Sequence, residues 1–312
     1  MSEPQAGTLE INRKLDTGKI HAQGVAVDDQ YIYATESDGP SIEVYDKHSL
    51  EFVESETFSG HGTLQNIHYV PEEDLLYWAN RDYDIITVDP DTLTHQETFS
   101  DVVPESERVP DDDDDADDRT EGIVRYTGQL YDEAQWFMTE KVVETVEDED
   151  GNDVYAENKF GIYRLDDDLN HVETYVQDPE EVDGFPPAGL EGIDVFDDGD
   201  TMTLLGCPSQ RRGMLEWDDD VGLLYYHTRG PYYGIEQFSF DGNEFGWEGV
   251  ITSAEDNRFL PTEGLAIDGD IGSIYTHTRH NRRTLESDSR VLEVDITDAE
   301  PLTSRGQLFE QS

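Results

Sequence analysis

The chain reads as an all-β protein, a β-propeller of four-stranded antiparallel blades filling residues 1–312 as a single domain. Three observations predict this. A hairpin of short apolar strands around an acidic turn recurs about every 42 residues, as from Gln23 to Gln65. Within each hairpin apolar residues alternate at period 2, and no stretch sustains a helical period. The turns are built from Asp, Gly and Asn, and a sandwich would not repeat in this way, whereas radial repetition of blades would.

Taken in order, the first hairpin of each unit reads HAQGVAVDDQYIYATES from His21, TLQNIHYVPEEDLLYWANR from Thr63, TEGIVRYTGQLYDEAQWFMTEK from Thr120, LEGIDVFDDGDTMTLLGC from Leu190 and TEGLAIDGDIGSIYTHTR from Thr262. Second hairpins follow as SIEVYDKHSLEFVE, DIITVDPDTLTHQETF, GIYRLDDDLNHVETY, GIEQFSFDGNEFGWEGV and RVLEVDITDAEPLTSRGQLF. An additional hairpin, GMLEWDDDVGLLYYHTR from Gly213, brings the count to 11. That count favours six blades, one of them abbreviated, over five blades with an extra hairpin. The segment TLEINRKL (8–15) reads as a strand that completes the last blade and closes the ring. Three insertions interrupt the rhythm: 101–119 with its DDDDDADD run, expected to be a solvated, mobile loop, 142–159 as an extended hairpin turning at Asp150-Gly151, and the Pro- and Gly-marked connector 178–189.

Composition narrows the function. There are 74 Asp plus Glu against 20 Lys plus Arg, a net charge of −54. Such self-repulsion opposes a compact state in dilute buffer and is screened in molar salt, where the Debye length is ~3 Å. Only 5 of the basic residues are Lys. In this the chain resembles proteins of extreme halophiles that keep salt in the cytoplasm. The charge argues against nucleic acid and against an anionic membrane surface as partners. The lone Cys207 excludes an internal disulfide, and no His or Cys cluster has zinc spacing. The opening MSEPQAGTLEINRK has no apolar signal segment and no run reaches a membrane span, so a cytoplasmic location is expected.

Aligning the repeats exposes two rings. Where the innermost strands begin stand Gln23, Gln65, Glu121, Glu191 and Glu263, followed by Gly24, Asn66, Gly122, Gly192 and Gly264. Where the next strands end stand Arg81, Lys141, Arg229 and Arg279, with Ser37 in the first unit. In an antiparallel blade these ends share one face. One expectation is that each base neutralises a neighbouring carboxylate. The other is a channel mouth whose carboxylates Glu121, Glu191 and Glu263 take calcium or another divalent cation, while Gln23, Gln65 and the bases contact a ligand. His227 and His277, in YYHTRG and YTHTRH, are equivalent positions suited to acid–base work, metal binding or hydrogen bonding within the repeat. No other cofactor is implied.

The TEG(I/L) and LEG(I) strand openings, followed by an acidic turn and an aromatic strand, resemble the phytase-like esterase propellers and the gluconolactonase (senescence-marker) propellers. That resemblance implies a divalent ion on Glu121, Glu191 and Glu263. HAQGVAVDDQYIYATES (21–37) resembles the opening of plant-type glutaminyl cyclases, five-bladed propellers with a Gln-Gly pair and a nearby Glu, here Gln23-Gly24 and Glu36. The expectation is a binding module for a small ligand, a cation or a protein on the ring-bearing face. The alternatives are a divalent-metal-dependent ester or lactone hydrolase and a glutaminyl-cyclase-like enzyme.

Overall fold

The computed structural model describes residues 9–17, 22–36, 39–109, 119–147, 153–177, 190–197, 201–208, 215–218, 223–226, 234–252, 262–278, 289–299 and 301. After strand β1 (Glu10–Asp16), the first blade is β2 (Ala22–Val27), β3 (Tyr31–Glu36), β4 (Ser41–Asp46) and β5 (Phe52–Thr57). The second is β6 (Leu64–Val70), β7 (Leu75–Asn80), β8 (Ile85–Asp89) and β9 (Thr94–Phe99). Blade 3 holds β10 (Arg119–Tyr126), β11 (Gln135–Glu147), β12 (Asp153–Leu165) and β13 (His171–Gln177). Its β11–β12 ladder runs out to Glu147 opposite Asp153, which makes this the longest hairpin of the described chain.

Blade 4 corrects the favoured count of six. It contains β14 (Leu190–Asp197), β15 (Met202–Pro208), β18 (Gly234–Phe240) and β19 (Phe245–Thr252), with β15 pairing directly to β18. The hairpin between them, β16 (Leu215–Asp218) with β17 (Leu223–Tyr226), forms a separate two-stranded sheet. It has the local pattern of a blade hairpin, but its strands are only four residues long and are laddered to each other alone. The protein is therefore five-bladed with an extra hairpin. Blade 5 is β20 (Thr262–Asp268), β21 (Asp270–Thr278) and β22 (Arg290–Asp295), with β1 as its outermost strand in antiparallel register, Glu10 opposite Asp295 and Asp16 opposite Arg290.

Each innermost strand packs on the innermost strand of the next blade. Radial sheets bury both faces, so alternate side chains of one strand serve opposite seams. In β2, Val25 joins the core between blades 5 and 1, and its neighbour Ala26 the core between blades 1 and 2. Phe58 and Trp78 meet edge to face in that second core, with ring centres 5.4 Å apart. The core between blades 2 and 3 gathers Tyr77, Trp136 and Tyr163, and recruits Val102, Val103 and Val109 from the connecting segment. That segment is thus docked as far as Val109, and the Asp run after it lies outside the described residues.

Candidate functional site

Every blade breaks its first ladder at the same place. The register slips between Ala22 and Val25, Leu64 and Ile67, Thr120 and Ile123, Leu190 and Gly192, and Thr262 and Gly264. A β-bulge re-aims the side chain it carries, and the bulged residues are the predicted ring: Gln23, Gln65, Glu121, Glu191 and Glu263. All five are at most 5% exposed. The glycines that follow permit this crowding. A side chain on Gly264 would press on Gly24 carbonyl carbon and Val25 nitrogen, and one on Gly192 would press on Gly264 Cα.

The bulged side chains join into a polar arc around the channel. In one orientation the Gln65 amide nitrogen donates to Glu121 Oε2 at 2.7 Å and its oxygen accepts from Arg81 Nε at 2.6 Å. Lys141, at the next strand of blade 3, then bridges two blades, with Nζ 2.8 Å from Glu121 Oε1 and 2.7 Å from Glu191 Oε1. Burial pushes the Glu121 carboxyl above its usual range; Lys141 opposes that shift and the Glu191 charge adds to it. Glu263 holds the equivalent place in blade 5, 1% exposed.

Arg81 differs from the other arginines whose side chains are described. Arg13, Arg108, Arg125, Arg164 and Arg290 each pair with an Asp or Glu. Arg81, half-buried, is oriented through Nε by Gln65, and its two terminal nitrogens meet no acceptor among the described residues. Its charge is felt by Glu121 without an ion pair being made.

A second set of contacts lies in the seams. Thr35, Thr139, Cys207 and His277 are equivalent positions on the second strands, and each reaches a carbonyl of the next blade: Gln65 (3.5 Å), Leu190 (2.8 Å), Gly264 (3.3 Å) and Gly24 (3.1 Å) respectively. The other ring nitrogen of His277 lies 3.3 Å from Thr17 Oγ1, and the side chain is fully buried. The predicted ligand residue His277 is thus placed within the closing seam of the ring. Blade 2 has Ala79 at this position and Asn66 in place of the glycine. Asn66 is fully buried with neither amide atom hydrogen-bonded. The repeat alignment held the signal for this seam ring, because Cys207 falls in line with Thr35, Thr139 and His277.

Of the predicted site residues, the structure brings together Gln23, Gln65, Arg81, Glu121, Lys141 and Glu191. His227, Arg229 and Arg279, with Ser37, lie outside the described residues. Among the described residues no three His, Cys, Asp or Glu side chains stand in a metal-holding group. What Glu121 and Glu191 share is the Lys141 ammonium. Adjacent Glu140, also buried, turns the opposite way and accepts from Tyr83 Oη and from Val109 N.

No family model and no curated protein sequence matches the chain. Solved structures are similar in fold. The glutaminyl cyclase of Myxococcus xanthus is 12% identical with a TM-score of 0.51, over 94% of this chain and 97% of that one. The WD40 repeats of RRP9 are 10% identical with a TM-score of 0.45, over 93% and 99%. At 12% identity the likeness to the cyclase is one of fold alone.

Proposed function

We propose that the protein is a binding module for a small ligand carrying a carboxylate, held at the channel mouth by Arg81. The observation that supports this is the open guanidinium fork. In a chain with 74 acids and 20 bases, an arginine that meets no carboxylate among the described residues is held away from the commonest available partner. Gln65 fixes its plane, so the remaining N–H groups are set for bidentate recognition of a planar anion. The neighbouring acids do not repel such a ligand fully, because Lys141 neutralises part of the Glu121–Glu191 pair. The proposed setting is a salt-rich cytoplasm, where screening lets an anion approach so acidic a protein.

The test is thermal shift and calorimetry of the full chain in molar KCl against a panel of small mono- and dicarboxylates. Arg81→Ala should weaken a binding carboxylate by on the order of 1.5–3 kcal/mol, roughly 10- to 150-fold, and Arg81→Lys should restore only part. Affinity that survives Arg81→Ala would sink the proposal.

A second reading is a glutaminyl-cyclase activity. It rests on Gln23-Gly24 standing in the arc, as the first-blade resemblance implies, together with the fold shared with the Myxococcus xanthus enzyme. Its test is ammonia release from peptides with an N-terminal glutamine, and no release above a Gln23→Ala control would remove it.

A further inference from the structure

Away from the channel, the outer edges of blades 1 and 2 enclose a crevice of about 400 Å³ lined by Glu56, Thr57, Ser59, Thr94 and two histidines, His61 and His95, with Phe58 and Leu93 as its apolar floor. The two imidazoles face each other with ring centres 4.7 Å apart and planes tilted by 42°. We propose that His61 and His95 form a binding site for one borderline divalent transition-metal ion, of the zinc, nickel or copper class, with water completing its coordination.

The ring separation fits that use. An imidazole nitrogen holds zinc at ~2.0–2.1 Å, so the ring centre lies about 3.2 Å from the ion, and two rings on one ion stand about 4.5–5.2 Å apart between right-angled and tetrahedral coordination. The observed 4.7 Å falls inside that interval.

The supporting contacts orient both rings. His95 Nε2 lies 2.9 Å from Thr98 Oγ1; if it donates there, the lone pair is left on Nδ1, as the outer hydrogen bond of a metal-bound histidine does. His61 is carried on a turn between Gly60 and Gly62, both at positive φ (95° and 70°), a path that a side chain at either position would strain. Its carbonyl accepts from Asn80 Nδ2 at 3.3 Å, which ties the turn to blade 2. Nothing among the described residues hydrogen-bonds to the His61 ring.

Imidazole donors select zinc, nickel and copper over calcium and magnesium, which take oxygen. Excess magnesium in molar KCl will therefore occupy the surface carboxylates and leave this site open. The crevice lies on different residues from the Arg81 site, so either can fail alone.

The experiment is calorimetric titration of the chelator-treated full chain with ZnCl2, in molar KCl and excess MgCl2. One equivalent should bind, and binding should drop at least tenfold in His61→Ala and in His95→Ala. It should persist in His171→Ala, which removes the repeat equivalent of His95. On wild type, substoichiometric Cu2+ should broaden the ring NMR signals of His61 and His95 before that of buried His277, a readout that needs no variant. Zinc binding that is absent, or unchanged in both crevice variants, overturns the proposal, as does copper broadening centred on other histidines.

Discussion

At position 194 a carboxylate stands where the other innermost strands carry Ala26, His68, Val124 and Ala266. Asp194 is 6% exposed and accepts from Ile267 N at 2.7 Å and Val195 N at 2.8 Å. Burial raises its pKa to about 7, against the pull of those two hydrogen bonds. Because the folded value lies above the unfolded one (~3.9), its contribution is fully present below pH ~4 and is lost as pH rises through 7. A shift of this size corresponds to roughly 4 kcal/mol between the two limits. Asp194→Asn should accordingly flatten the pH dependence of stability, measured by urea unfolding at pH 4, 6 and 8 in molar KCl. Parallel pH profiles for wild type and Asp194→Asn would count against this assignment.

Among the elements, the seam between blades 2 and 3 departs from its four counterparts. Elsewhere a glycine lies under a donor side chain: Gly24 N donates to Thr35 Oγ1 at 2.7 Å, and Gly122 N to Thr139 Oγ1 at 2.8 Å. Here Ala79 offers no hydroxyl, and the buried Asn66 amide is without a partner. Blade 3 contributes the compensating bond, from Thr120 Oγ1 to Asn80 O. An unsatisfied buried polar group costs about 1–3 kcal/mol. The double variant Asn66→Gly/Ala79→Thr, which restores the pattern of the other seams, should be more stable than wild type by about 1–2 kcal/mol, with the two changes coupled by at least ~0.5 kcal/mol. Additive single effects in a denaturant cycle would refute the pairing.

The same elements show what the sequence could reveal. Period-2 hairpins, the bulge ring and the closing strand β1 were legible because each is written in local pattern or in repeat alignment. Blade number was not, since the Leu215–Tyr226 hairpin matches the local pattern, and what sets it apart is its four-residue strands and a ladder that among the described residues reaches no further strand. Docking of residues 101–109 was hidden too. Val102, Val103 and Val109 follow no period, and the Glu140 carboxylate that receives Val109 N lies 31 positions away. Nor does a sequence show that Lys141 is shared by two blades while Arg81 makes no ion pair among the described residues.

On the scale of the whole molecule, five apolar seams work against a net charge of −54. In ~0.1 M salt the screening length is ~10 Å, long enough for acids on neighbouring blades to repel. The melting temperature should therefore fall steeply as KCl is lowered from molar to ~0.1 M, and a flat salt profile by calorimetry would remove the case for salt adaptation. The ring itself is shut by β1, where Arg13 of the outermost strand pairs with Glu293 of β22, 280 positions later. A ribosome adding 5–20 residues per second therefore exposes Leu9 and Leu15 for roughly 15–55 s before the partner strand is made. For that interval β1 stands without its ladder partner β22, an unpaired strand edge in the nascent chain.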